Sequence, residues 1–251
     1  MNFLKKIFSK NKDADFDLIV SEVNTFYNIA PSDFGGGCAI QKALALVFYI
    51  KEFNLTNSVD IGVYRGRSLF PQAIAHKNFT GGKVFGIDPF ENKAAIQNDK
   101  PELKTLLDNF AETTDFELIY KELNHNLQSY SLDTFSTLIR EKSESAKAYF
   151  KNNNLNIGLV HIDGNHDTSF VVNDVNDYFP LVQSGGVIIL DDISWESVKP
   201  AFDLISQKSE YIGKIIDDKN DFAVFIKDGS ISQINKAKVL LKRISNYKIK
   251  D

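Results

Sequence analysis

The sequence predicts a doubly wound α/β fold, in which helices cover both faces of a mostly parallel sheet. Short apolar, β-branched segments alternate with helical patterns, which is typical of parallel sheets. Only residues 217–221 separate the last two segments, too few for a crossover helix, so these two segments form an antiparallel hairpin. Seven strands are predicted, at residues 58–61, 83–88, 117–121, 156–163, 186–191, 211–216 and 222–226.

The composition excludes several classes of protein. The 251 residues include 29 Lys+Arg and 33 Asp+Glu, and the net charge of −4 does not build the positive field that nucleic-acid binding needs. No apolar run approaches the roughly 18 residues of a membrane-spanning helix, and the N-terminus lacks the apolar stretch of an export signal. The single cysteine, Cys38, excludes an internal disulfide. We therefore expect one cytoplasmic α/β domain that neither binds nucleic acid nor enters the membrane.

The chain divides into three segments. Residues 1–37 are a helical leader, with a helix predicted over 14–30, followed by a glycine loop at 35–37 that is either a lid or a plain connection. Residues 38–230 are the α/β domain, which opens with a largely buried helix at 38–53. Residues 231–251 hold a terminal amphipathic helix. Further helices predicted at 101–111 and 131–150 either shape a substrate entrance or an oligomer face, or are solvated additions.

The turn after the first strand is a candidate ligand site, because open parallel sheets bind ligands beyond the carboxyl ends of their strands. It runs from Asp60 through Gly62, Tyr64 and Gly66 to a helix that starts near Ser68. The two glycines allow the backbone to approach a ligand closely. The spacing is not that of a dinucleotide-binding turn. The alternative is a tight strand–helix connection without a ligand.

The second predicted strand ends at Asp88, where doubly wound folds bind ribose hydroxyl groups. A carboxylate accepts two hydrogen bonds from adjacent hydroxyls. The turn and this acid together favour a nucleoside ligand. Alternatively, Asp88 only caps the turn before Pro89.

Acids also end the two strands that follow. Asp163 ends one predicted strand, and Asp191 and Asp192 end the next. If these strands are neighbours in the sheet, the three carboxylates converge, and their repulsion is relieved by a divalent cation such as Mg²⁺. The alternative is that the acids cap helices or bind loops. Strands that are not adjacent would remove the metal site.

His166 follows Asp163 by three residues and is the candidate general base. A histidine beside a cation can take the proton of a bound hydroxyl group near neutral pH. A purely structural role is the alternative. His161 lies within its strand and is expected to be a core or partly buried residue, and Cys38 is expected to pack as a small residue.

These motifs resemble the class I S-adenosylmethionine-dependent methyltransferases, and most nearly their metal-dependent macrocin and mycinamicin sugar O-methyltransferase branch. The matching segments are residues 59–68, 86–90, 160–166 with Asp174, and 185–192. The resemblance implies a Rossmann-like, seven-stranded methyltransferase sheet with a C-terminal antiparallel hairpin. It also implies site residues: Asp60, Gly62, Tyr64, Gly66, Ser68 and Asp88 for S-adenosyl-L-methionine, Asp163, Asp191 and Asp192 for Mg²⁺, and His166 with Asp163 for catalysis.

The function implied by this resemblance is methyl transfer to a hydroxyl group of a sugar or a sugar-containing natural product. The partner is then a small-molecule or saccharide acceptor, and a homo-oligomer is compatible with the added helices. Two alternatives stay open. A nicotinamide-dependent oxidoreductase would need the glycine pattern that the first turn lacks. A non-catalytic module would be expected to lose the strand-end acids, which are all present.

Overall fold

A computed structural model describes residues 16–21, 23–24 and 38–247. Within the predicted leader, residues 16–21 and 23–24 are helical, and Phe16, Ile19, Val20 and Val23 are buried. The glycine loop at 35–37 lies outside the described residues. No described helix combines the length and the apolar character that a bilayer crossing requires.

Seven strands form one sheet in the order β3-β2-β1-β4-β5-β7-β6. The first five in this order are mutually parallel, whereas β7 is antiparallel to both β5 and β6. The predicted doubly wound fold with its C-terminal hairpin is therefore confirmed. The strands are β1 (Asn57–Ile61), β2 (Lys83–Ile87), β3 (Ser136–Ile139), β4 (Ile157–Ile162), β5 (Val182–Asp191), β6 (Glu210–Ile216) and β7 (Asp221–Ile226).

The helices connect the strands and cover both faces of the sheet. Alternate residues of β5 point to opposite faces, as expected for a pleated strand: Ile189 packs with the helix that opens the domain, and Ile188 packs with the helices of the other face. The helices are α1 (Ile40–Glu52), α2 (Leu69–Ala75), α3 (Lys104–Thr113), α4 (Phe116–Ser129), α5 (Ser143–Asn152), α6 (Thr168–Tyr178), α7 (Lys199–Ser206) and α8 (Ile231–Ser245).

The third predicted strand is wrong. Residues 117–121 lie inside α4, whose start is capped by the Asp115 carboxylate accepting the Leu118 backbone N–H at 2.8 Å. The real β3 (Ser136–Ile139) lies within the helix predicted over 131–150. A short 3-10 helix at Asp133–Phe135 precedes it, and α5 covers the later part of that segment. Helical packing overrides the β-branched local composition here, because α4 buries four apolar residues at helical spacing, namely Phe116, Ile119, Leu123 and Leu127.

The strands that carry the acids are neighbours, as the metal hypothesis requires. In the parallel ladder of β4 and β5, Ile162 pairs with Leu190. The residue after Ile162 is Asp163, and the residue after Leu190 is Asp191. The two acids therefore lie side by side at the carboxyl edge of the sheet.

Candidate active site

A cavity of about 560 Å³ lies beyond the carboxyl ends of the strands. One part of its wall includes Gly62, Tyr64 and Asp88, from the turns after β1 and β2. Another part includes the acids that follow β4 and β5, together with His166. A volume of this size suits a small-molecule ligand.

The turn after β1 is shaped by Gly62, whose φ is +86°. A β-carbon at Gly62 would stand 1.9 Å from the carbonyl oxygen of Asp163. Glycine is therefore needed twice at this position, for its backbone conformation and for the close approach of the loop after β4. The turn after β1 therefore lines the cavity and also packs directly against the backbone of Asp163.

Asp88 binds the backbone of its own turn and of the turn after β1. Its Oδ2 accepts the Tyr64 N–H at 2.9 Å, and its Oδ1 accepts the Phe90 N–H at 2.7 Å. Burial raises the pKa of Asp88, although these backbone hydrogen bonds oppose the shift. Phe90 is buried against Tyr120 rather than exposed to the cavity.

Three residues of the predicted cofactor turn lie behind the cavity wall. Ser68 Oγ donates to Asp60 Oδ2 at 2.8 Å, and Asp60 Oδ1 lies 2.6 Å from His161 Nδ1. A β-carbon at Gly66 would meet Leu123 at 2.7 Å, so this glycine serves packing. Direct cofactor contacts of Asp60, Gly66 and Ser68 stay predictions; the structure gives them supporting contacts. His161 is fully buried, as expected.

Lys42 of α1 lies between the first two strand-end acids. Its Nζ is 3.1 Å from Asp163 Oδ2 and also donates a hydrogen bond to Asp191 Oδ2. Only 1% of the lysine is exposed. Burial disfavours its charge, but Asp163 and Asp191 outweigh this effect and hold the pKa of Lys42 well above its usual value. An ammonium ion therefore lies inside the acid cluster.

His166 lies on the other side of the cluster. Its Nε2 is 2.9 Å from Asp192 Oδ2 and 3.5 Å from Asp163 Oδ1. The Trp195 ring packs against the imidazole, with the ring centroids 4.9 Å apart, and the Lys100 ammonium lies 3.3 Å from the centre of the Trp195 ring. Asp192 has a φ of +50°, in the left-handed region that aspartate adopts more readily than most residues.

The acids differ in their protonation. Burial opposes ionisation of Asp163, but Lys42 and His166 outweigh it and lower the pKa of Asp163. The pKa of Asp191 is raised, by burial first and then by repulsion from Asp163. Burial also opposes the charge of His166, yet Asp163 and Asp192 raise its pKa to about 10. Contacts with Lys42 and His166 thus favour the ionised form of Asp163, whereas ionisation of Asp191 is disfavoured.

A family model described as a methyltransferase domain matches residues 59–193, more than half of the chain. The chain belongs to this methyltransferase family. The match includes every strand-end acid described above. It favours the methyltransferase hypothesis over the oxidoreductase hypothesis. A comparison with curated proteins finds no match.

Solved structures resemble this methyltransferase in fold. The calicheamicin methyltransferase CalS11 has a TM-score of 0.58 at 13% identity, covering 92% of this chain and 98% of its own. The O-methyltransferase NovP has a TM-score of 0.57 at 16% identity, covering 86% and 99%. TomG from Streptomyces achromogenes, an O-methyltransferase of tomaymycin synthesis in complex with SAM, has a TM-score of 0.57 at 10% identity, covering 90% and 95%. These likenesses show a shared methyltransferase fold.

The methyltransferase also ties the segment before α3 to the loop that carries His166. Asp167 Oδ1 accepts the backbone N–H groups of Asn98 at 2.6 Å and Asp99 at 2.7 Å. Asp99 Oδ2 in return accepts the Thr168 N–H at 2.8 Å. Asn165 Nδ2 donates to the Ile96 carbonyl at 2.7 Å. We call these contacts the 98–167 clip; they hold one wall of the cavity against the histidine loop.

Sequence reasoning missed Lys42 and the 98–167 clip. The one signal for Lys42 was its position in an otherwise apolar helix, because α1 is buried from Ala43 through Ile50. A lysine within such a helix needs a buried acid as its partner. The clip joins loops about 70 residues apart in the chain, with a separation of 69 positions between Asn98 and Asp167, and no local pattern indicates it.

Proposed function

We propose that this methyltransferase transfers a methyl group from S-adenosylmethionine to a hydroxyl oxygen of its acceptor. One observation carries the proposal: a single cavity has the Gly62–Asp88 turns in one part of its wall and the acid cluster with His166 in the other. Two solved relatives in fold, TomG and an O-methyltransferase from Bacillus cereus, are described in complex with SAM and SAH respectively. Donor and acceptor would thus meet between the two parts of the wall.

The donor would bind over the turn after β1. Gly62 leaves the backbone open to close approach, and Asp88 offers its remaining lone pairs to ribose hydroxyl groups. Phe110 and Phe116 add apolar wall on this side of the cavity. Lys142 and Ser143, at the start of α5, also line it and are candidates for contacts with the adenine ring.

The acid cluster fits a hard divalent ion such as Mg²⁺ in donor type. Ligand atoms of Asp163, His166 and Asp192 lie within 4.8 Å of one another, and so do those of His161, Asp163 and Asp191. Carboxylate oxygen ligands suit Mg²⁺. The residues proposed to hold the ion are Asp163, Asp191 and Asp192. A bound ion would neutralise these acids and polarise the acceptor hydroxyl group.

His166 is proposed as the general base. Asp163 and Asp192 raise the pKa of His166 to about 10, which favours the protonated ring near neutral pH, so His166 must lose that proton before it can act as a base. The neutral ring then accepts the hydroxyl proton while the acceptor oxygen forms a bond to the methyl carbon. The bond from that carbon to sulfur breaks, and the donor leaves as S-adenosylhomocysteine. The two parts of the wall serve to align the oxygen, carbon and sulfur atoms.

The acceptor is proposed to be a sugar or a sugar-containing natural product. Adjacent hydroxyl groups of a sugar would suit a site that combines several carboxylates with one histidine, because each hydroxyl group both donates and accepts hydrogen bonds. Support for a sugar-bearing acceptor comes from this hydrogen-bonding chemistry and from the sequence resemblance.

Calorimetric titration of the purified protein with S-adenosylhomocysteine tests the donor. We expect saturable binding, no binding of NAD, and weaker binding by Asp88→Ala, with exposed Asp203→Ala as a matched control. Incubation with S-adenosylmethionine, Mg²⁺ and a panel of sugars and glycosylated compounds, read by mass spectrometry, tests the acceptor. Binding of NAD without binding of S-adenosylhomocysteine would contradict the proposal.

A further inference from the structure

The buried ammonium group of Lys42 gives the acid cluster an arrangement that the sequence did not suggest. Among the residues that the structure describes, Lys42 is the one buried lysine or arginine. It comes from α1, which packs against the sheet face with Leu159 and Ile189. Its ammonium group is therefore buried in the core, away from solvent.

Acids and cations alternate across the cluster. Lys42 bridges Asp191 and Asp163 through one oxygen of each, the Oδ2 atoms. The other oxygen of Asp163, Oδ1, faces His166, which in turn lies 2.9 Å from Asp192. The order is Asp191, Lys42, Asp163, His166, Asp192. We call the Asp191–Asp163 gap the inner position and the Asp163–Asp192 gap the outer position.

The two positions differ in what can leave them. Removing one partner of a buried ion pair leaves an uncompensated charge in the core, which is strongly destabilising, so the ammonium stays at the inner position. His166 lies on a loop and is 12% exposed in its side chain, so its ring can move away from the outer position. A divalent ion bound between the Oδ2 atoms of Asp163 and Asp191 would have to displace the lysine.

We infer that Lys42 is the resident cation of this cluster: it occupies the inner position in place of a metal ion, and a divalent ion binds only at the outer position, through Asp163 and Asp192. The inference rests on the metal site proposed above and changes its ligand set. Lys42 is then a positioning residue. It orients Asp163 toward the ion, and it keeps Asp191 from coordinating the ion.

Binding of Mn²⁺ to the full-length protein tests the ligand set without any activity measurement. We measure the affinity by electron paramagnetic resonance of free Mn²⁺ for the parent, Asp192→Asn and Asp191→Asn. Loss of a ligand should weaken binding by at least about tenfold, so Asp192→Asn should do so while Asp191→Asn changes the affinity by less than about threefold. Equal weakening by both variants would overturn the inference, because the ion would then use all three acids. This comparison keeps Lys42 in place, and it is made below the Tm of both variants, with circular dichroism confirming that each is folded.

Thermal unfolding in EDTA tests the buried pair itself. Lys42→Met and Asp191→Asn should each lower Tm, whereas the double variant should melt at least about 3 °C above the value expected from adding the single effects. Additive effects would overturn the role of Lys42. Lys42→Met should also bind Mn²⁺ at least about tenfold more tightly than the parent, because the inner position then opens and one positive charge is lost; unchanged or weaker binding would contradict the inference.

The two tests separate this inference from the proposed function. A parent protein that binds no Mn²⁺ but shows the Lys42–Asp191 coupling would overturn the proposed metal and support Lys42 as the cation of the cluster. A parent that binds Mn²⁺ with equal need for Asp191 and Asp192 would support the metal and overturn the inference.

Discussion

The carbonyl oxygen of Asp163 lies 1.9 Å from the position that a β-carbon on Gly62 would occupy. The loops after β1 and β4 are therefore packed too closely to leave room for a side chain at Gly62. The turn proposed to hold the methyl donor, at Gly62, is thus in direct contact with Asp163 of the acid cluster. A displacement of either loop moves the other.

Gly62→Ala should consequently damage both stability and donor binding. The methyl group would overlap the Asp163 backbone and meet an unfavourable φ of +86°, costing at least about 2 kcal/mol. Gly81→Ala is the matched control, since Gly81 has a φ of +68° with no atom within 4 Å of its β-carbon position. Chemical denaturation should show the larger loss for Gly62→Ala, together with weaker S-adenosylhomocysteine binding. Equal losses of stability in the two variants would mean that the close contact with Asp163 does not contribute to the cost of Gly62→Ala.

His166→Gln should slow methyl transfer by about 10²–10⁴-fold while leaving S-adenosylhomocysteine affinity unchanged. The variant keeps a polar side chain of similar reach but cannot act as a base at neutral pH. Single-turnover rates and calorimetry measure the two effects. A variant as fast as the parent at every pH would exclude the proposed base.

The same variant should have a pH-dependent effect on stability in EDTA. The pKa of His166 is raised from 6.5 to about 10 by its acidic neighbours, against the effect of burial. Its stabilising contribution is complete below pH 6.5 and is lost as the pH rises through about 10. The Tm difference between parent and His166→Gln should therefore be largest near pH 6 and small near pH 10.5. A difference that grows with pH would contradict the charged form of the histidine.

Asp174 should destabilise the protein at alkaline pH. Burial raises its pKa from 3.8 to about 7, with further repulsion from Asp177 and Glu144, although a hydrogen bond from Ser143 opposes the shift. A buried acid with a raised pKa loses stability as the pH rises from about 4 to about 7. Asp174→Asn should therefore raise Tm by several degrees at pH 8 and have little effect near pH 4. A lower Tm at pH 8 would show that the ionised carboxylate is favoured.

Asp167→Ala should open the 98–167 clip. Loss of its carboxylate removes the acceptor for the Asn98 and Asp99 amides, so hydrogen exchange across residues 92–100 should accelerate. We expect a higher KM for the acceptor, with S-adenosylhomocysteine affinity changed by less than about threefold, since the donor side of the wall is untouched. Exposed Glu112→Ala is the control. Unchanged exchange would mean that Asn165 alone holds this wall.

The sequence predicts the sheet well where strands are apolar and fully buried. Every residue of β4 is buried, and its alternation with helices sufficed to predict it. β3 was missed because it has four residues, half of them only partly buried, at the sheet edge. The stretch 117–121 was mistaken for a strand because Leu118, Ile119 and Tyr120 favour strands locally, while the helical spacing of the buried residues extends beyond that short window.

The candidate site divides in the same way. Strand-end acids are predictable, since parallel neighbours bring their carboxyl ends together, and Asp163, Asp191 and Asp192 do converge with His166. The sequence did not predict contacts between residues that are far apart in the chain. Lys42 is separated from Asp163 by 121 positions, and sequence spacing holds no information on such a contact.

Lys42 lies 17 positions before residue 59, where the methyltransferase family match begins. A chain trimmed to residues 59–193 would keep every acid of the cluster but lose the ammonium ion set between two of them. Chimeras that graft this segment onto another scaffold would need a host helix that offers a lysine at the same depth.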